Sequence, residues 1–394
     1  MTGPLKRPPF RDTHTMIFGA RGGKLLLLQP ANNSRAYLFA LSSYITETDT
    51  QYAISFKKQT TTSVSETSWP EDWNWKNGEG ILPFTPVWRY DAPNLAVIAA
   101  AMHNNNMFLF AIDENDSRLM YKRETNPSTN TWNDWKKISL NYSVRPPVYA
   151  GCANGSSKVQ VFAIDNATGK IRAFKKEPTV GSDDNQWSSY LIGDQSISIF
   201  ALHSKSNHSY IFATNWVDLF TIQSAASGSF PSNYTRVGPP YLFISTNEVK
   251  LSSNGIMVTQ YAAGGLWEIT SDTAIKITSD WTRHFEVVSS GNNAYLLYLS
   301  ETDGMKLWRR SSSGIWSQVP TSTYPNQSAH PVDQTCLKAY NYPSNNTAVF
   351  FGNFDNTGIG GPALYGPSLF FDVWQIKNPD WTLSWKNLGG LYSY

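Results

Sequence analysis

Residues 159–175 read VQVFAIDNATGKIRAFK, and residues 107–123 read MFLFAIDENDSRLMYKR. Both contain Phe-Ala-Ile-Asp, at 110–113 and 162–165, an offset of 52 residues. In each stretch an apolar strand pattern runs into a polar tip and leaves through a second alternating strand, the pattern of a β-hairpin. A chance tetrapeptide would stand alone, whereas a structural unit would recur along the chain.

It recurs. The pattern of an aromatic-aliphatic strand, a polar tip, a second alternating strand and then a Trp is followed from AYLFAL (36–41) to TAVFFG (347–352). Phe39, Phe110, Phe162, Phe212, Gln260, Leu297 and Phe350 mark seven copies, at intervals of 71, 52, 50, 48, 37 and 53 residues. A further apolar strand and turn precede most copies, as in LAVIAAAMHNNN (95–106) and PVYAGCANGSS (147–157). Four antiparallel strands per roughly fifty residues is the blade of a β-propeller. A lone blade exposes two apolar faces, and blades packed face to face cover one another. The small residues of AVIAAAM and YAGCA suit a crowded innermost strand, and Trp side chains suit the wider outer wedge. The fold is therefore expected to be all-β, a propeller of four-stranded antiparallel blades, seven in number or six if copies four to six are parsed otherwise. A two-sheet sandwich gives no reason for the period. Residues 1–12 read as an N-terminal arm and 13–394 as a single propeller domain. MIFGA (16–20) or the terminal LYSY are candidates for the strand that closes the ring.

Composition agrees. Of 394 residues, 16% are charged and 14% aromatic, with 15 Trp, 20 Tyr and 20 Phe, a balance that favours strands over surface helices. The net charge of +2 gives no reason to expect nucleic acid as a partner, and no apolar run reaches the length of a membrane span. Asn-x-Ser/Thr acceptors occur at Asn32, Asn115, Asn141, Asn154, Asn166, Asn207, Asn233, Asn326 and Asn345. They point to the secretory pathway or the cell exterior, although no signal peptide stands at the start of the sequence. Cys152 and Cys336 allow one disulfide or serve as small apolar residues. The acidic tips DENDS (113–117) and SETDG (300–304) read as solvated hairpin ends and lack the spacing of a calcium loop. The six His residues have no metal-ligand spacing, and no GxSxG elbow or phosphate loop is present. No metal and no cofactor is expected.

Residues 93–192, above all VQVFAIDNATGKIRAFKKEP followed by Trp187, resemble a blade of the fucose-binding fungal lectins. Those blades carry an Ile-Arg-Val-Tyr-like strand, a Gly-containing turn, an Ile-x-Glu-like strand and a Trp. The resemblance implies a propeller whose Arg and Glu hydrogen-bond a sugar and whose aromatics stack on it, with fucosylated glycans as partners. The chain departs at the clasp. The Arg position is Gln160 in one copy and Phe108 in the other, and the Glu position is Ala173 and Tyr121. That removes the charge-assisted bonds that hold sugar hydroxyls, and copies of unequal chemistry suit one asymmetric pocket.

In size, aromatic richness and acceptor load the chain also resembles diverged propellers of fungal secondary metabolism. These include hetero-Diels–Alderases that join a tropolone-derived quinone methide to humulene in making tropolonic sesquiterpenes. This resemblance implies a cofactor-independent pericyclase with small hydrophobic polyketide and terpene partners. Such a reaction needs aromatic walls that hold two partners in a near-attack pose and a donor on the heterodiene oxygen. The loops VWRYDAPN (87–94), NYSVRPPVY (141–149), VGPPYLF (237–243), DWTRHFE (280–286) and QSAHPVDQ (327–334) enter the innermost strands. They offer Arg89, Arg145, Arg283, His284 and His330 as donors. Trp88, Tyr90, Tyr142, Trp216, Tyr241 and Trp281 are candidate walls.

Overall fold

A computed structural model describes residues 18–28, 37–45, 50–58, 95–103, 106–113, 115–126, 131–153, 158–176, 185–205, 208–226, 228–239, 248–261, 264–300, 304–319, 337–342, 347–352 and 374–376. The arm at 1–12, the terminal LYSY and Cys336 lie outside them. Internal contacts divide the chain into two units, one of Met1–Ala92 with Thr321–Tyr394 and one of Pro93–Pro320.

The first unit holds two three-stranded antiparallel sheets. One is β1 (Phe18–Leu28), β2 (Tyr37–Ile45) and β3 (Thr50–Lys58), so part of MIFGA belongs to a strand of the first sheet. The five sheets of the second unit follow in chain order. The second sheet is β4 (Leu95–His103), β5 (Asn106–Asp113) and β6 (Arg118–Asn126), with β7 (Thr131–Trp132) and β8 (Lys136–Lys137) both pairing β6. The third is β9 (Val144–Ala153), β10 (Lys158–Asp165), β11 (Ile171–Lys176) and β12 (Trp187–Ile192). The fourth is β13 (Ile199–Lys205), β14 (His208–Thr214), β15 (Leu219–Gln223) and β16 (Thr235–Val237). The fifth is β17 (Val249–Leu251), β18 (Met257–Gln260), β19 (Leu266–Ile269) and β20 (Ala274–Thr278). The sixth is β21 (Thr282–Ser290), β22 (Asn293–Ser300), β23 (Gly304–Arg310) and β24 (Trp316–Gln318). The seventh, in the first unit, is β25 (Leu337–Tyr342), β26 (Thr347–Gly352) and β27 (Trp374–Ile376). Each of the seven marker residues read from the sequence lies on the second strand of a separate sheet.

Within the second unit consecutive sheets pack face to face. Alternation along β10 shows how: Val159, Val161 and Ala163 join the core toward the second sheet, whereas Phe162 and Ile164 join the core toward the fourth. Both faces are covered, which is why VQVFAI reads as an almost unbroken apolar run. Burying each such large side chain contributes about 1.5–3 kcal/mol. The first strands converge as the small residues predict: β4 touches β9, β9 touches β13, β13 touches β17, and β17 touches β21. Outer Trp residues fill the wider part of the layers. Trp187 of β12 meets Phe110 edge-on at 6.0 Å and Tyr121 at 5.4 Å, between the second and third sheets.

Candidate functional site

The face of the fifth sheet toward the sixth carries one row across all four strands. Lys250 pairs with Val258, Val258 with Glu268, and Glu268 with Ile275. The row opens on a cation, passes an apolar residue that packs against the sixth sheet, and reaches a carboxylate. Both charges are answered across the seam. Lys250 Nζ donates to Glu286 Oε1 of β21 at 2.6 Å, and Arg310 Nε of β23 donates to Glu268 Oε2 at 2.8 Å. Glu248 lies 3.4 Å from Lys250 and accepts the Phe285 N–H. Burial alone would lower the Lys250 value, but Glu248 and Glu286 outweigh it and hold the ammonium well above its ordinary range.

The outer pair has the features of a ligand site. Glu268 Oε2 also accepts the indole N–H of Trp316 at 2.7 Å, so one oxygen is fixed by two donors. The Glu268 side chain is 5% exposed and that of Arg310 22%, which places the guanidinium at the mouth of the seam. Glu268 Oε1 and both Arg310 Nη groups make no hydrogen bond among the described residues. The β23–β24 turn closes over this group: a Cβ on Gly314 would lie 3.3 Å from Arg310 Nη2.

A second polar group lies nearer the β22–β23 turn. Asp280 Oδ2 accepts the Tyr298 hydroxyl at 2.5 Å and the Lys306 ammonium at 2.8 Å, and Trp308 Nε1 donates to Tyr298 at 3.3 Å. Burial pushes Tyr298 up to about 12, and its hydrogen bond to Asp280 adds to that. Burial would raise Asp280 as well, but Lys306 and Tyr298 prevail and hold its carboxyl below the ordinary value. These carboxylate and cation groups offer both hydrogen-bond donors and acceptors.

Of the eleven residues read from the sequence as a pocket, four have described side chains: Tyr142, Arg145, Trp216 and Trp281. Trp88, Arg89, Tyr90, Tyr241 and His330 lie outside the described residues. Arg283 and His284 fall on β21 where its register with β22 shifts, and their side chains are not among those described. Arg145, on β9, donates from Nη2 to the Ile197 carbonyl at 3.1 Å. Tyr142 stands before β9 with the Arg172 guanidinium 3.6 Å above its ring. Trp216 is exposed in the β14–β15 turn at φ +78°, its N–H held by Thr214 Oγ1 at 3.0 Å. Trp281 is exposed at the entry to β21, against the β18–β19 turn. No ring contact or hydrogen bond among the described residues joins Tyr142, Trp216 and Trp281 to one another. Four of the nine Asn-x-Ser/Thr acceptors, Asn115, Asn141, Asn166 and Asn233, are exposed, and the others lie outside the described residues.

Glu268, Arg310, Asp280, Tyr298 and Lys306 are not among the candidates read from the sequence; Glu268 lies on GLWEIT (265–270), and Lys306 and Arg310 on MKLWRR (305–310). The signal was there. GLWEIT has the Ile-x-Glu-like shape, but its cation comes from the next repeat, 42 residues on, and not from its own.

No protein-family model matches the chain, and no curated protein matches its sequence. Among solved structures it is similar to the SapL1 lectin in complex with alpha methyl fucoside, at 11% identity over 94% of this chain and 96% of that one, TM-score 0.45. It is similar to AofleA from Arthrobotrys oligospora at 10% identity over 78% of this chain and 90% of that one, TM-score 0.42. It is also similar to the β-propeller domain of the Trilobed protease from Pyrococcus furiosus, at 8% identity over 92% and 96% of the two chains, TM-score 0.46.

Proposed function

We propose that the chain is a seven-bladed propeller with a lectin-like function, and that it holds a saccharide at the seam of the fifth and sixth sheets. The observation that carries this is the Glu268–Arg310–Trp316 group. A carboxylate fixed by two donors keeps its second oxygen for a sugar hydroxyl, and the adjoining guanidinium keeps its two Nη groups for another. Such charge-assisted bonds are the stronger class, and a site already locked by its own bonds loses little entropy on binding. The Arg, Glu and Trp chemistry of the fucose-lectin resemblance is thus found at this seam, shared between neighbouring repeats. The second and third sheets carry Tyr121 and Ala173 at the third-strand place that Glu268 takes in the fifth, which supports a single clasp. The pericyclase reading has less behind it. Arg145 is the only one of its five donors with a described side chain, and one of its N–H groups is engaged by Ile197.

The test is a calorimetric titration with α-methyl fucoside followed by a glycan array. Wild type is expected to retain glycan, and Glu268→Gln or Arg310→Ala to weaken it by about tenfold or more, the size of losing one anchoring contact. Failure of the wild type to bind any glycan, or full binding by both variants, refutes the assignment.

A further inference from the structure

Asp280 and Trp281 are consecutive, yet they serve opposite sides of the seam. Asp280 turns to the sixth sheet, where Oδ2 is taken by Tyr298 and Lys306. Trp281 turns to the fifth, where its indole lies on Gly264: a Cβ there would sit 2.8 Å from Nε1 and 3.2 Å from Cε2. Gly264, at φ +89°, thus gives the ring a seat that a side chain would fill. The turn is itself fixed, since Gly264 N–H bonds the Tyr261 carbonyl at 2.8 Å and Trp267 Nε1 bonds the Gly264 carbonyl at 3.3 Å. An indole supported in this way and still 46% exposed is a preorganised flat surface.

The neighbouring carboxylate decides what that surface suits. Asp280 Oδ2 is taken by Tyr298 and Lys306 and the carboxylate also takes the Thr278 hydroxyl, which leaves one of its roughly four acceptor sites open. A planar apolar face beside a fixed anionic acceptor matches a molecule with one C–H face and outward hydroxyl donors, which is a pyranose ring. A purely apolar ligand would leave the carboxylate to be desolvated without return. We propose that Asp280 and Trp281 form a saccharide-stacking subsite, distinct from the Glu268–Arg310 group and toward the other end of the same seam. Lys306 and Arg310 are four residues apart on β23, which separates the two groups by roughly 13 Å at strand rise. The subsite rests on the carbohydrate-binding reading above.

The experiment is a calorimetric titration of the full chain and its Trp281→Ala and Trp281→Phe variants with α-methyl fucoside and β-methyl galactoside. Thermal midpoints confirm that each variant is folded, and the Phe variant keeps a ring should the Ala variant prove unstable. Wild type is expected to bind one equivalent of glycoside that Trp281→Ala loses, or binds about tenfold more weakly, and that Trp281→Phe largely keeps. Trp281→Ala matching wild type in number and affinity of bound glycoside overturns the subsite and leaves the Glu268–Arg310 assignment standing. A wild type that binds neither glycoside here, nor any glycan on the array, overturns both.

Discussion

The carboxylate of Asp165 receives the N–H and hydroxyl of Thr168 on Oδ1, each at 2.8 Å, and Arg172 Nε on Oδ2 at 2.8 Å. The pair is buried, with side chains 2% and 9% exposed, and Arg172 in turn covers Tyr142. Asp113 has the same place in the preceding sheet, taking the Asn115 N–H and amide at 3.0 Å and Lys137 at 3.3 Å. Each Asp of Phe-Ala-Ile-Asp therefore ties a hairpin tip to its strands, which is a physical reason for writing the tetrapeptide twice. The apolar part was legible because alternation is local. The function of the Asp was not, because its cation comes from a different position in each copy. Burial raises the Asp165 value, but Arg172 and Thr168 outweigh it and hold the carboxyl below its ordinary 3.8. Its contribution to stability is then complete above pH 3.8 and lost as pH falls through the lowered folded value. Asp165→Asn is expected to lose about 3 kcal/mol at pH 7, because Arg172 is left buried without its anion. It should also flatten the acid limb below pH 3.8. Urea denaturation from pH 7 to 2 checks both, and an unchanged acid limb would show that the pair does not act as described.

At the scale of the element, strands and hairpins were readable where Gly, Asn and Asp punctuate an alternating pattern. The fourth strands were read less well. A Trp was expected there, and β12 and β24 carry one, but β16 and β20 do not. Between the fourth and fifth sheets the space is filled from the third strand instead, by Trp267 stacked on Tyr261 at 4.8 Å. The chain enters β19 through two consecutive glycines, Gly264 and Gly265, both at φ +89°. Gly265 has φ +89°, and a Cβ would meet the Thr278 carbonyl at 2.1 Å, backbone that cannot rotate away. Gly255, at φ +88°, has nothing within 4 Å. Gly255→Ala should therefore cost only the left-handed backbone term, roughly 1–2 kcal/mol. Gly265→Ala adds a backbone clash and should cost about 4 kcal/mol or more, in the range reserved for severe strain. Comparable midpoints for the two variants in thermal unfolding would mean that the turn relaxes at no cost.

At the scale of the whole molecule, sequence period predicts that sheets recur but says little of how one grips the next. The seam partners Lys250 with Glu286 and Glu268 with Arg310 are 36 and 42 residues apart, on different repeats of unequal length. The two pairs run in opposite directions, cation to anion near the first strands and anion to cation on the third. A shifted or inverted docking of these sheets would set like charges together, so the arrangement favours one register over its neighbours. Lys250→Met tests the inner clamp without touching the proposed sugar clasp. It leaves Glu248 and Glu286 close to each other with the shared cation gone, and like charges held together without it cost stability. The variant is expected to be about 3 kcal/mol less stable than wild type at pH 7. Adding Glu286→Gln should recover stability at pH 7 by removing one of the opposed charges. A deficit that Glu286→Gln leaves unchanged in urea denaturation would mean that the lost aliphatic packing of the lysine stem, and not its charge, is what holds these two sheets together.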